Sequence, residues 1–160
     1  VISSVVESAV QALDAKACSI RVLGRRKRRL LLGGSVGLSE GYIRKGPVLV
    51  NESRLDKEAL EGKTVYIENA QVDSRWQYPD KAIQEGIFSV LVAPLTARND
   101  VIGVLRIYSG DIREFDKAEM RFIEAMARLR GLALENARLH QTLRTDFEMI
   151  IAERYRIDED

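Results

Sequence analysis

Two β-rich runs, residues 88–96 and 101–109, flank the turn-forming triplet Arg98-Asn99-Asp100. Strands joined by so short a turn must run antiparallel, because a parallel crossover consumes a dozen or more residues. A helical pattern follows from Glu114 to about Arg154, with Gly131 as its only breaker. A hairpin followed by a long helix calls for an antiparallel sheet with helices laid against it.

The rest of the chain fits that class. Residues 1–15 place Val5, Val6, Ala9, Val10 and Leu13 at helical spacing. Residues 17–23 alternate, with Cys18, Ile20 and Val22 on one face and Ser19 and Arg21 on the other. A second strand begins at residues 30–32, and Gly33-Gly34 is expected to end it. Ser39 is placed to cap a short helix that Gly46-Pro47 terminates, and residues 55–60 form another helical turn. Residues 64–67 read as a strand. Residues 69–80 read as a loop carrying Trp76, Tyr78 and Pro79, and residues 81–85 as a helix closed by Gly86. Pro94 requires a place where its missing N–H costs no ladder bond, and Gly103 marks a close approach of another segment. This reading gives five strands and no internal repeat.

Composition narrows the function classes. The 160 residues carry a net charge of +1, which gives no general attraction to nucleic acid or to an anionic bilayer. A single cysteine and a single histidine exclude a disulfide framework, cysteine-cluster metal sites and a His-based metal triad, and disfavour haem. No metal and no cofactor are expected. No apolar run reaches the length of a spanning helix, and the N-terminus lacks a signal-peptide pattern. The expected setting is cytoplasmic, without membrane contact by this segment. Because the chain starts at Val1, it is expected to be part of a longer protein.

A family resemblance emerges at Glu85-Gly86-Ile87-Phe88-Ser89-Val90-Leu91-Val92-Ala93-Pro94-Leu95, followed by residues 101–108, Val-Ile-Gly-Val-Leu-Arg-Ile-Tyr. This stretch is similar to the last two strands of GAF domains. Arg113-Glu114-Phe115 and the later Leu134-Glu135-Asn136-Ala137-Arg138-Leu139 resemble the start and end of that family's last helix. Gly62-Lys63-Thr64-Val65 and Asp73-Ser74-Arg75 match its third strand and the following loop. The resemblance implies an α+β fold: a central antiparallel sheet of five to six strands flanked by helices, GAF/PAS-like and profilin-like, with a long C-terminal helix. Residues 1–143 form the domain, and residues 144–160 continue the helix toward an output domain. It also implies a bacterial signalling module with a small-molecule pocket on one sheet face.

That pocket takes Val65 and Ile67 as floor, or Tyr66 if the register slips by one. Trp76, Tyr78, Ile83 and Phe88 form the walls, and Asp73, Arg75 and Ser89 the polar selectors, the usual mixture of a ligand cavity. The alternative is that Trp76 and Tyr78 fill a closed satellite core. The cyclic-nucleotide signature of the family is incomplete. Phe115 stands four residues before Glu119, but Ala118 replaces the expected Asp, and Ser109-Gly110 replaces Asn-Lys. Cys18 reads as core packing. A sulfoxide-reductase role would need a second thiol that the chain lacks. The run Arg25, Arg26, Lys27, Arg28 and Arg29 reads as a solvated turn without interleaved aromatics for base stacking. Docking to an acidic partner stays open.

Phe115, Phe122, Leu129, Asn136, Leu143 and Ile150 recur every seven residues, with Met126, Ala133, His140 and Phe147 between them. The first part of this helix is expected to cover its own sheet. Beyond Asn136 a partner helix covers Leu143, Phe147 and Ile150. The expected dimer interface is Phe122, Met126, Leu129, Asn136, His140, Leu143 and Phe147, with Asn136 setting a parallel register. The alternative is a polar helix face on a monomer. With no catalytic constellation, the reading is a non-enzymatic sensor: it binds an unknown small molecule and relays the change through a homodimeric helix. Its output domain is of the histidine-kinase or cyclic-dinucleotide-enzyme kind, linked or partnered. The alternative is a ligand-free dimerisation module, and a third reading is a redox sensor at Cys18.

Overall fold

The computed structural model describes residues 2–24, 29–44 and 48–159. Side chains are undescribed at residues 2–5 and at positions of the last helix that include Leu129, Asn136, His140 and Phe147. Those four expected interface positions therefore lie outside the described side chains. Arg25 to Arg28 of the basic run and the Gly46-Pro47 stop lie outside the described residues.

In chain order the elements are α1 (Ile2–Leu13), β1 (Ala17–Leu23), β2 (Arg29–Val36), α2 (Glu40–Ile43), β3 (Val48–Leu49), α3 (Arg54–Leu60), β4 (Val65–Ile67), α4 (Pro79–Glu85), β5 (Val90–Ala97), β6 (Asp100–Tyr108) and α5 (Lys117–Glu159). The strands form one sheet in the order β3-β2-β1-β6-β5-β4, with antiparallel neighbours throughout. The first and last long strands thus meet at its centre.

Strand alternation gives the sheet two different faces. Cys18 and Ile20 of β1, Leu105 and Ile107 of β6, and Leu91, Ala93 and Leu95 of β5 share one apolar core. Val6, Ala9 and Leu13 of α1, spaced three and four apart, complete it together with Ile123, Met126 and Ala127 of α5. The opposite face carries Ala17, Val104, Tyr108, Val90, Val92, Val65 and Ile67. There the cover is irregular: Tyr42 of α2, Val48 of β3, Leu55 and Ala59 of α3, Trp76 of the loop and Ala82 of α4. The face of β4 is thereby settled, with Val65 and Ile67 toward this capped side and Tyr66 toward the helices.

Five local outcomes differ from the sequence reading or sharpen it. The β2 strand does not stop at Gly33-Gly34 but runs on to Val36, because a register shift opposite Ile20 and Arg21 absorbs an extra residue. The sixth strand, β3, is two residues long, too short for any period to announce it. Gly131 does not break α5. A Cβ there would stand 2.2 Å from the Thr96 carbonyl oxygen, so glycine lets the helix touch the backbone of β5. Gly103 does the same for β1, where a Cβ would meet the Arg21 carbonyl oxygen at 2.2 Å. Pro94 sits beyond Val92, the last β5 residue paired with β4, where a strand borders β5 on one side only.

Candidate functional site

The capped face is not uniformly apolar. At its centre β1 and β6 place Ser19, Arg21, Arg106 and Tyr108 on the same side, with Ser19 opposite Arg106 and Arg21 opposite Val104. Arg21 is 4% exposed and Arg106 3%. Asp56, on the inward side of α3 between Leu55 and Ala59, is fully buried. Its carboxylate receives Arg106 side-on: Nε donates to Oδ1 at 3.1 Å, and Nη2 donates to Oδ2. Ser53 precedes α3 as its N-cap residue, but its hydroxyl makes no cap bond and donates instead to Asp56 Oδ2 at 2.5 Å. The Ser19 and Tyr108 hydroxyls share a hydrogen bond of 2.9 Å.

Aromatic rings wall this polar floor. The Arg106 guanidinium lies 5.2 Å from the centre of the Trp76 ring, within cation–π range. Tyr108 meets Trp76 and Tyr42 edge-on at 6.3 and 6.1 Å. A cavity of about 10 Å³, close to the space of one water molecule, is lined by Val48, Ser53, Trp76, Gln77, Tyr78 and Arg106.

Two guanidiniums face one carboxylate here. Burial pulls the Arg106 pKa down, but Asp56, together with Tyr108 and Tyr42, more than offsets it, and the group is held above its ordinary value. Arg21 goes the other way: burial and then repulsion from Arg106 lower its pKa. Its Nε and Nη2 find no hydrogen-bond acceptor among the described residues, and neither does Trp76 Nε1. Burial, followed by the neighbouring Tyr108, pushes the Tyr42 hydroxyl above its ordinary range. Polar groups so enclosed are costly unless paired. This cluster is therefore the most demanding chemistry in the described fold.

The pocket residues read from the sequence fall in several places. Val65, Ile67 and Trp76 belong to the capped core, and Tyr78 lines the cavity. Asp73 and Arg75 close on each other: Arg75 donates to Oδ1 from its backbone N at 2.8 Å and from Nε at 3.1 Å, and from Nη2 to Oδ2 at 2.9 Å. Ser89 joins segments, donating to the Glu68 carbonyl at 2.7 Å and accepting from the Arg113 N–H at 2.9 Å. Phe88 is half-buried, and Ile83 is 54% exposed on the outside of α4. On α5, Met126 packs in the domain's own core, whereas Phe122 is 44% and Leu143 65% exposed. Cys18 is buried, and burial pushes its thiol up to about 12.

Sequence reading passed over Arg21, Asp56 and Arg106. The signal was present: Arg106 interrupts the apolar run Val104-Leu105-Arg106-Ile107, in a strand that the sheet buries on both faces.

The family model described as GAF domain matches residues 1–135. The chain belongs to the GAF domain family. Among characterised proteins, this GAF domain is 27% identical over 132 residues to the methyl sulfide methyltransferase-associated sensor of Methanosarcina acetivorans. That match covers 79% of this chain and only 13% of the sensor. The GAF domain of an Acinetobacter phosphoenolpyruvate-protein phosphotransferase superposes with a TM-score of 0.69 at 25% identity, covering 84% of this chain and 81% of that one. The GAF domain of a two-component sensor histidine kinase from Bacillus halodurans gives 0.67 at 18% identity, with coverages of 86% and 96%. No described helix is long and apolar enough to cross a membrane.

Proposed function

We propose that this GAF domain is the sensory input module of a cytoplasmic signalling protein. It binds a small molecule on the capped face and relays the change through a homodimeric α5 to an output domain of the histidine-kinase or cyclic-dinucleotide-enzyme kind. It performs no catalysis itself. One observation carries the reading: β5 and β6 connect the capped face to α5. Arg106 faces the polar floor, while its neighbours Leu105 and Ile107 support the helix side. A displacement of these strands by a ligand is felt at α5 through the Gly131–Thr96 contact. Such a ligand shifts the equilibrium only by its differential affinity for the two arrangements. The sensor and sensor-kinase relatives support this role. Leu143, Met149 and Ile150, all at least 60% exposed, support pairing of the distal helix.

Native mass spectrometry of the purified chain, repeated under denaturing conditions, tests the proposal. A dimer carrying extra mass that is lost on denaturation is the expected result. A monomer refutes the dimeric relay. A second reading, a ligand-free dimerisation module, is favoured by the small cavity, since about 10 Å³ accommodates no metabolite without rearrangement. A dimer without extra mass, and with no thermal shift from a metabolite library, decides for it.

A further inference from the structure

We propose, resting on the sensor reading above, that Arg21 anchors a carboxylate-binding subsite and that the ligand is a small carboxylic acid. A guanidinium presents Nε–H and one Nη–H side by side, spaced for the two oxygens of a carboxylate. Arg106 uses this fork, Nε and Nη2, on Asp56. Arg21 stands diagonally across the β1–β6 ladder on the same face. Its own Nε and Nη2, the same pair of atoms, are enclosed and meet no acceptor among the described residues. The floor thus contains one worked example of the contact and a second fork of identical chemistry.

Charge and donor count select the ligand class. Arg21 and Arg106 against Asp56 leave one positive charge in excess; burial, and then repulsion from Arg106, lowers the Arg21 pKa. Trp76 Nε1 adds a third buried donor without an acceptor among the described residues. Two coplanar acceptor oxygens carrying one negative charge match the Arg21 fork and the charge. A primary amide offers one acceptor and leaves the charge standing. A phosphate is tetrahedral and brings up to two charges against one. The cavity of about 10 Å³ is lined by Arg106 and not by Arg21 and admits no acid as it stands, so binding a short acid at Arg21 requires the cover of the capped face, including the half-buried Gln77 and Tyr78, to rearrange.

The test uses the full chain and isothermal titration calorimetry, with thermal shift as a second readout. The probes are sodium acetate, malonate and succinate, against acetamide, malonamide, sodium phosphate and sodium chloride at matched ionic strength. At least one carboxylate is expected to bind saturably and raise Tm, with the amides silent. Arg21→Met is expected to weaken that binding by on the order of a hundredfold, the worth of charge-assisted hydrogen bonds. Its unliganded Tm is expected to match or exceed wild type, because a buried charge has been removed; an arginine that merely held the fold together would behave oppositely. Arg21→Lys keeps the charge, loses the fork and is expected to weaken binding about tenfold; it carries the test if the methionine variant misfolds. Arg75→Met is the control, since Arg75 is already paired with Asp73. The proposal is overturned if no carboxylate binds, if phosphate binds more tightly, or if Arg21→Met binds as wild type does. A neutral molecule found bound in native mass spectra would overturn it while leaving the sensor reading intact. Silence in both experiments removes both.

Discussion

Replacing Gly131 with alanine puts one methyl group where α5 touches β5. The new Cβ would lie 2.2 Å from the Thr96 oxygen, 2.7 Å from its carbonyl carbon and 2.9 Å from its nitrogen. These are backbone atoms of a paired strand and cannot swing aside as a side chain would. Ordinary contact requires α5 to withdraw by roughly 1 Å, a gap that forfeits a quarter to a half of the dispersion energy of atoms facing it. The atoms concerned belong to Ile123, Met126 and Ala127 on α5 and Leu91, Ala93 and Leu95 beneath them. Overpacking of this kind costs about 1–3 kcal/mol. Alanine returns about 1 kcal/mol in helix propensity. The clash engages three backbone atoms and the helix cannot shift without its neighbours, so we expect a net loss of about 2 kcal/mol. In a domain of this size that lowers Tm by roughly 4–8 °C. Differential scanning calorimetry at fixed protein concentration measures it. Gly41→Ala in α2, where only Ser39 Oγ at 3.9 Å is near, is the control and is expected to be neutral or stabilising. A Gly131→Ala domain as stable as wild type would refute the close-contact reasoning.

The other expectations concern side chains. Asp56→Asn strands Arg106 without its counter-charge and is expected to cost about 3–5 kcal/mol in urea unfolding, as for other broken buried pairs; a loss under about 1 kcal/mol would deny the pair its structural role. Hydrogen bonds from Arg75 hold the Asp73 carboxyl below its ordinary 3.8. Its contribution is therefore fully present above that value and is lost as pH falls below it through the folded pKa. The stability difference between wild type and Asp73→Asn should be constant near neutrality, about 1 kcal/mol or less for a half-buried pair still partly in solvent, and should vanish only under strong acid. An effect that vanishes between neutrality and pH ~5 would contradict the assignment. Cys18, buried with its thiol pushed up to about 12, should resist iodoacetamide in the folded domain and react once unfolded. Labelling of native protein within minutes would place the thiol in reach of solvent and revive a redox role.

What the sequence made legible follows its periods. Alternation located β1, β-rich composition located β4, β5 and β6, and the Arg98-Asn99 turn, both residues at positive φ, located the β5–β6 hairpin. Gly86, at φ 75°, closes α4 as read. The seven-residue repeat described α5 less well near the sheet. The residues that face the core there include Ile123 and Ala127, with Met120 packed against them, whereas Phe122 points outward. A stripe covering one's own sheet and a stripe seeking a partner helix overlap in such a repeat, and spacing alone cannot separate them. The polar floor was hidden for a different reason. Ser19 and Arg21 alternate with apolar residues, which is the usual sign of a solvent face. Only the cover supplied by α2, α3 and the Trp76 loop turns that face inward, and these short elements have no period to read. Asp56 meets Arg106 across 50 residues, a pairing that no local pattern encodes.

The central β1–β6 pair has a consequence for how the chain acquires its shape. Ser19 and Tyr108, joined by a hydroxyl bond, are 89 residues apart. The β1–β2 and β5–β6 hairpins can each close locally and early, but the sheet is in two halves until they dock. Arg21 is made well before Arg106, which lies on the other side of the sheet's central pairing, so the polar floor is assembled only at that docking step. Before it, two arginines sit on separate hairpins in water; after it, both are enclosed. Pulse-labelled hydrogen exchange should therefore show amides within each hairpin protected ahead of those that bridge β1 and β6, with the joining of the halves setting the pace of folding.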